Sequence, residues 1–388
     1  MRKISADYIF TISSQPVKNG VVVVADDGQI IDVLPEGDVS GPDIELHQGI
    51  ICPGFVNAHC HLELMHLQGK LEEQKGLDEF IKGIESIRKS TEEEILLAIE
   101  KGEDEMIARG IVAVGDISNT AHSFLQKSKA RIKYHTFIEV LGFHPDRAGK
   151  AFSAGLKLFE QLAHPRSIVP HAPYSASEKL LKKINNFAQE NNSILCIHNQ
   201  ESEEEDKLFL RKEGKILERL KHFGIDTSSW EATGFSSLRS TLVHLPKGNK
   251  VQLVHNTFTS KEDMEWAEDY SKLIWWCFCP NANLYIENAL PKFEQFVDAG
   301  AKITIGTDSI ASNWNLCVLE ELKIISKHTS RVSLQHLLTW ATKNGAEFLG
   351  FDKLGTIEKG KNPGLNLIQH PDFSTLSLTE KSSVIKLI

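Results

Sequence analysis

The chain has 388 residues, 41% hydrophobic and 24% charged, with a formal net charge of −9; this describes a globular protein with a full core and, lacking any basic stripe, no nucleic-acid surface. No apolar run reaches the roughly 18 residues of a membrane span, and strand-like text rather than a signal-peptide block follows Met1-Arg2-Lys3. Cys52, Cys60, Cys196, Cys277, Cys279 and Cys317 mostly lie in apolar runs without a Cys-x-x-Cys pair, so they read as reduced thiols of a cytoplasmic protein rather than as disulfides or a zinc ribbon.

Residues 1–50 come in strand-sized bursts: Ala6 to Phe10, Gly20 to Ala25, a turn at Asp26-Asp27-Gly28, and Gln29 to Leu34. Asp-Gly between two apolar runs predicts a hairpin. This small sheet carries no helix and needs further strands to build a core. From residue 50 strands alternate with amphipathic stretches (Leu77 to Arg88, Glu92 to Arg109). After the strand at Phe55-Val56-Asn57-Ala58-His59-Cys60-His61, strand-like runs recur at Ile111 to Ile117, Ile132 to Val140, Ser167 to Pro170, Ser193 to His198, Val251 to His255, Leu273 to Cys279 and Lys302 to Thr307. That makes eight, the number that closes a TIM-type barrel. The stretch Glu201 to Lys250 is too long for a plain crossover and predicts helices and a lid near the site. A helix follows over Ser333 to Leu349. Turns and strands from Leu354 onward then pair with the N-terminal sheet.

The expected fold is therefore α/β: a (β/α)8 TIM-type barrel over 51–354, with a small discontinuous β-sandwich domain from 1–50 and 355–388.

In such a barrel the active site lies where strands end. Strand one ends in His59 and His61, which share a face because side chains alternate along a strand. Strand four ends in His171, strand five in His198, strand six in His255 and strand eight in Asp308. His59, His61, His198 and Asp308 suit one divalent metal, Zn2+ first and Fe2+ as the alternative. Such a metal lowers the pKa of a bound water from about 16 toward about 7. Glu201, just beyond His198, can shuttle a proton between that water and a substrate nitrogen. His255 can hold or deprotonate the water. His171 is a substrate contact or a structural hydrogen bond, and Glu63 meets substrate or anchors the strand-one loop. The run Glu203-Glu204-Glu205-Asp206 reads as a solvated helix start. Trp275-Trp276 reads as barrel packing, and His66, His122, His328 and His336 as ordinary histidines.

Pro53-Gly54-Phe55-Val56-Asn57-Ala58-His59-Cys60-His61, His171-Ala172-Pro173-Tyr174-Ser175, His198-Asn199-Gln200-Glu201, Val254-His255-Asn256 and Gly306-Thr307-Asp308-Ser309 resemble the amidohydrolase superfamily, in its branch of cytosine, guanine and adenosine-type deaminases. Cys279-Pro280-Asn281-Ala282-Asn283 is similar to that branch's Pro-x-Ser-Asn stretch, with alanine for serine. Gly364-Leu365 departs from the family's usual aspartate and touches only a satellite turn. His171 stands where binuclear relatives carry a lysine, which favours one metal. The His59-Cys60-His61-Leu62-Glu63-Leu64 form is similar to aminodeoxyfutalosine deaminases.

The resemblance implies a mononuclear metal-dependent hydrolytic deaminase of an aminated purine-type ring or nucleoside, C–NH2 plus water giving C=O plus ammonia. Glu201, His255 and Asp308 would be catalytic, and His171 and Glu63 would bind substrate. The alternative is a cyclic-amide hydrolase, imidazolonepropionase-like, or a chloro-triazine hydrolase; a non-enzymatic metal-binding barrel stands third. The partners implied are a small-molecule substrate and a second copy in a homodimer, with neither nucleic acid nor membrane.

Overall fold

The structure, a computed structural model, describes residues 1–36, 43–87 and 90–388. Its centre is a ring of parallel strands: Phe55–Cys60, Ile111–Ser118, Lys133–Val140, Arg166–Pro170, Leu195–Asn199, Val251–His255, Ile274–Phe278 and Ile303–Ile305. All are almost wholly buried. That is why they read as continuous apolar runs rather than alternating ones: inner side chains fill the barrel and outer ones meet helices.

The strands pair in sequence order as two four-stranded parallel sheets. Two seams join them. At one, His198 N donates to His171 O at 2.9 Å. At the other, Thr307 N and Asp308 N both donate to His59 O, at 3.0 and 3.1 Å. Asn57 reinforces this second seam: its Nδ2 donates to Thr307 Oγ1 at 2.7 Å and its Oδ1 accepts from Thr307 N at 3.0 Å. The ring is a TIM-type barrel with strand ends on one rim.

Helices cover the outside, and their ends follow local chemistry. Thr91 and Glu94 form a reciprocal capping box that starts Glu92–Ala108. The expected helix from Leu77 is Leu77–Ile87, with Arg88 outside the described residues. The expected helix from Ser333 to Leu349 is interrupted: Leu334–Thr339 and Gly345–Leu349 flank a π-helical turn at Trp340–Asn344.

Both chain ends build a two-sheet β unit. Four N-terminal strands form one sheet, in the order Ile30–Leu34, Val21–Val24, Arg2–Ser5, Ile44–Leu46. The Asp27-Gly28 turn makes the expected hairpin, with Gly28 at φ 84°. The second sheet joins Ser383–Lys386 and Leu365–Gln369 to Ile50–Pro53, Tyr8–Ile9 and Val17–Lys18. Ile4, Ile9, Val22, Ile51, Leu365 and Leu367 share its core. This sheet takes in Ile51–Pro53, so the chain changes sheets at Gly54 and the first barrel strand begins at Phe55.

Gly54 sits at that crossing because nothing larger fits: a Cβ would lie 2.4 Å from Val112 Cγ1 and 2.7 Å from the Pro363 carbonyl oxygen. Gly54→Ala is expected to lower the unfolding free energy by about 1–3 kcal/mol through overpacking, measured as a fall in the urea midpoint at unchanged m-value.

Candidate active site

At the rim, the strand ends bring His59, His61, His198, His255, Asp308 and Glu201 together. His59 Nε2 lies 3.2 Å from His61 Nε2, and Asp308 Oδ1 lies 3.4 Å from the first and 3.2 Å from the second. His198 Nδ1 lies 3.0 Å from His255 Nε2, which is 3.7 Å from Glu201 Oε1. His171 packs against His198 with ring centroids 4.9 Å apart. Glu63 is placed one layer back. Its Oε2 accepts from Asn119 N, Thr120 N and Thr120 Oγ1 at 2.8–3.1 Å, bracing the turn after the second strand.

The outer atoms of these groups are held in turn. Asn283 Nδ2 donates to the His255 carbonyl, so its Oδ1, 2.9 Å from His255 Nδ1, accepts from that ring. The tautomer leaves His255 Nε2 with its lone pair facing the centre. Ser312 Oγ donates to Asp308 Oδ2, leaving Oδ1 for His59 and His61. His171 Nδ1 pairs with Ser175 Oγ at 2.8 Å.

Two members of this environment were not singled out from sequence. Glu139 closes the third strand with Oε1 3.5 Å from His198 Nε2, and Asn119 Nδ2 donates to its Oε2. The signal was present, since a carboxylate ending an apolar run at the barrel rim is the same pattern that picked out Asp308. Asn283 stands in the stretch Cys279-Pro280-Asn281-Ala282-Asn283, but its service to His255 needs the three-dimensional contact.

Charge follows burial. Burial pushes His59 down to about 4 and holds His198 and His255 below the usual histidine range. Burial opposes a charge on His61 too, but the Asp308 hydrogen bond and charge lift it to about 9. Asp308 is held well below the carboxylate range despite burial, by His59 and His61. Glu201 goes the other way, raised well above by burial, then by Asp308 and Glu287.

The backbone bends sharply to make these placements. Gln200, His255, Asn256 and Asp308 are non-glycine residues at φ 42°, 73°, 58° and 56°. Such left-handed residues cost of order 1–3 kcal/mol each and persist where surroundings over-determine them. Asn256 shows how: its N donates to Asn199 O, its Nδ2 to Leu253 O and Cys277 O, and its Oδ1 accepts from Asn199 Nδ2.

The acidic run after Glu201 corrects the expectation of a solvated helix start. Glu203 is exposed, but Glu205 is fully buried. Its carboxylate accepts from Gln200 N, Glu201 N and Ser237 Oγ at 2.8–3.2 Å. The helix Glu203–Arg211 turns that side chain back under the strand-five loop, so a charge run on paper is split between water and core.

A cavity of about 250 Å3 opens over the cluster, bounded by Glu139, His171, Asp308, Leu77, Phe80 and Ile84. A second space of about 390 Å3 adjoins it through Ile81, Leu141 and Tyr174, with Ile216, Arg219 and Leu220 on its far side. The stretch 201–250 thus supplies one helix, Lys215–His222, that walls this space, with Phe223 and Ile225 after it.

The amidohydrolase family model matches residues 50–387. The chain belongs to the amidohydrolase family. It is 26% identical over 371 residues to a 5-methylthioadenosine/S-adenosylhomocysteine deaminase of Bacillus cytotoxicus, covering 89% of this chain and 79% of that one. Its fold is similar to Helicobacter pylori aminofutalosine deaminase in complex with methylthio-coformycin, with TM-score 0.81, 22% identity and coverage of 98% and 94%. It is also similar in fold to an Arthrobacter aurescens atrazine chlorohydrolase complexed with zinc, with TM-score 0.74, 17% identity and coverage of 94% and 86%. Membership makes this amidohydrolase a hydrolase acting on C–N bonds. Among the described residues no helix is long and apolar enough to cross a membrane.

The donor set fits a divalent metal, zinc foremost. Bonds of about 2.0–2.1 Å in a tetrahedron put neighbouring donors about 3.3 Å apart. The His59, His61 and Asp308 atoms are spaced 3.2–3.4 Å, and His198 joins the two strand-one histidines within 4.8 Å. Neutral His59 and His198 beside an ionised Asp308 are in the protonation states a metal requires, and binding would displace the proton that Asp308 holds on His61.

Glu205 generates a pH prediction. Burial pushes its carboxyl up to about 8, from an ordinary 4.5. Between those values the folded protein keeps a proton that the unfolded chain has released, so this group's contribution to stability falls as pH rises from about 4.5 to about 8. Glu205→Gln is expected to flatten that decline, seen as a smaller drop in urea midpoint between about pH 5 and about pH 8 than in the parent.

Proposed function

We propose that this amidohydrolase is a mononuclear zinc-dependent hydrolytic deaminase of an adenosine-type nucleoside or related aminopurine, with His59, His61, His198 and Asp308 as metal ligands. The observation that carries the reading is the meeting of Glu201 with His255 and Asp308 over one cavity. When bound, the metal supplies Lewis acidity and lowers the pKa of its water toward about 7.

The chain's own residues supply the proton traffic. Glu201, whose carboxyl burial raises well above the usual carboxylate range, is poised to hold a proton and donate it to the ring nitrogen beside the amino-bearing carbon. That carbon becomes electrophilic, and water adds to it. His255, whose Nε2 carries no proton, accepts the water's proton, and Asp308 beside it helps hold the same water. The C–N bond then breaks, the amino nitrogen leaves with that proton as ammonia, and the added hydroxyl returns its remaining proton to the Glu201 carboxylate as C=O forms. His171 Nε2, exposed by the Nδ1 contact to Ser175, offers the substrate a hydrogen bond. Glu63 acts through Asn119, which lines the same cavity.

The substrate class draws on the relatives' names: the Bacillus protein is named for 5-methylthioadenosine and S-adenosylhomocysteine, and the Helicobacter enzyme for aminofutalosine. The second reading is hydrolytic removal of chloride from a triazine-like ring, favoured by the Arthrobacter likeness; cyclic-amide hydrolysis is a further variant of the same water attack. The reading extends to a two-part chain, with residues 1–53 and 355–388 as one satellite β domain and 54–354 as the catalytic barrel, the expected boundary at 51 moving to the Gly54 crossing. It places a homodimer in the cytoplasm, for which six buried free thiols support the reducing compartment.

Metal-replete protein is expected to release ammonia from one of adenosine, methylthioadenosine, adenosylhomocysteine, aminodeoxyfutalosine, guanine and cytosine, and to lose that activity on chelation. Chloride from a triazine with no ammonia from the panel would move the assignment to the second reading. Glu201→Gln is expected to retain zinc while turnover falls about a hundred- to ten-thousand-fold; unchanged turnover in the folded variant would remove Glu201 from the mechanism.

A further inference from the structure

The strand-end imidazoles differ in what holds their outer side. His255 meets the amide oxygen of Asn283 at 2.9 Å, and His198 faces the Glu139 carboxylate at 3.5 Å. His59 has neither. Its Nδ1 lies 3.6 Å from the sulfur of Cys196, on the fifth strand two residues before His198.

Neighbouring groups set the direction of that contact. Thr304 Oγ1 bonds Gln252 Oε1 at 3.0 Å, and Gln252 Nε2 donates to Ala58 O at 3.0 Å, so the glutamine's NH2 end faces the first strand. The same Nε2 lies 3.7 Å from Cys196 Sγ. The sulfur therefore receives a donor from Gln252 on one side, which leaves it a second lone pair to accept from His59 Nδ1 once the Nε2 of that ring is committed to a metal. A proton on His59 Nδ1 leaves the Nε2 lone pair pointing at His61 and Asp308, the direction a metal ligand needs. Cys196, Gln252 and Thr304 are all fully buried on the barrel interior, where no water competes for these bonds.

We infer that Cys196 is a positioning residue for the metal centre: its sulfur accepts the His59 Nδ1–H, fixing the ring's tautomer and angle, in a place more often filled by a carboxylate or carbonyl oxygen. This rests on the proposed role of His59 as a ligand. A thiol is a weaker acceptor than a carboxylate, so it aims His59 without adding negative charge beneath the metal. The contrast with Glu139 behind His198 makes the centre asymmetric, with a charged outer partner on the side that borders the substrate cavity.

The test is zinc affinity by chelator competition in the full-length protein, with the imidazole N–H protons of the zinc-loaded form followed by 15N-edited NMR. Cys196→Ala removes the acceptor without adding volume, and Cys196→Val fills the space without an acceptor. Both are expected to bind zinc about 10- to 100-fold more weakly and to lose the slowly exchanging His59 Nδ1–H signal, assigned by its absence in His59→Asn. Parent-like affinity in both variants would overturn the inference, as would weaker binding with that signal still protected, because the loss would then come from general loosening. If His59→Asn itself leaves zinc affinity unchanged, the ligand assignment fails, and the Cys196 role fails with it for that separate reason.

Discussion

Closure of the barrel between its first and last strands is the constraint on which the rest depends. The His59 carbonyl accepts two amides from Thr307 and Asp308, and Asn57 bonds Thr307 through both ends of its amide. These contacts join residues about 250 positions apart, as the separation of Asn57 from Thr307 shows. A shift of this seam by one residue would turn Asp308 away from the strand-one histidines, because strand side chains alternate. Metal-site geometry and barrel register are therefore one constraint. Gly306 belongs to it as well: a Cβ there would sit 2.8 Å from His59 Cβ, so the eighth strand approaches the first only without a side chain.

Such a site concentrates charge where water is scarce, and its carboxylates divide according to their neighbours. Asp308 has two imidazoles against it and stays ionised; Glu201 has Asp308 and Glu287 as its main charged neighbours and is pushed to hold its proton. One buried rim thus offers both a fixed anion and a proton donor, the separation of roles that acid–base chemistry near neutral pH needs. Backbone strain serves the same end. The left-handed residues at Gln200, His255 and Asp308 stand at the ends of strands five, six and eight, where the chain must leave the barrel while aiming a side chain inward.

The barrel was legible because its strands are buried on both faces, which writes them as apolar blocks, and because four blocks end in histidine and a fifth in Asp308. Residues that act through others were less legible. Glu139 carries the same mark as Asp308 yet was passed over within its strand, while Asn283 and Cys196 gain meaning only from the rings they touch. Glu205 was misread outright, since four acidic residues in a row suggest solvent, and helix periodicity alone does not say that the third faces a strand-five loop short of acceptors. The crossing at Gly54 shows a related limit. Pro53-Gly54 marks a break before Phe55 in the sequence, but only the pairing of Ile50–Pro53 with Leu365–Gln369 assigns the residues before it to the other sheet.

The two ends of the cavity are built from different materials. The chemical end consists of strand termini locked by the closure seam and by buried amides. The far end is a wall of helices, Leu77–Ile87 from the first barrel loop and Lys215–His222 from the 201–250 stretch, and neither belongs to the strand ring. One buried ion pair ties them: Arg219 Nε donates to Asp78 Oδ1 at 2.9 Å and Nη2 lies 2.6 Å from the same oxygen. Breaking a buried pair costs about 3–5 kcal/mol because it strands a charge, so the two helices hold one relative position while their apolar faces turn to the cavity. Changes of residue along Phe80, Ile81, Ile84, Ile216 or Leu220 reshape the space offered to a substrate without touching any group that moves a proton. That separation follows from placing the strand-end cluster on the barrel and the cavity walls on inserted helices.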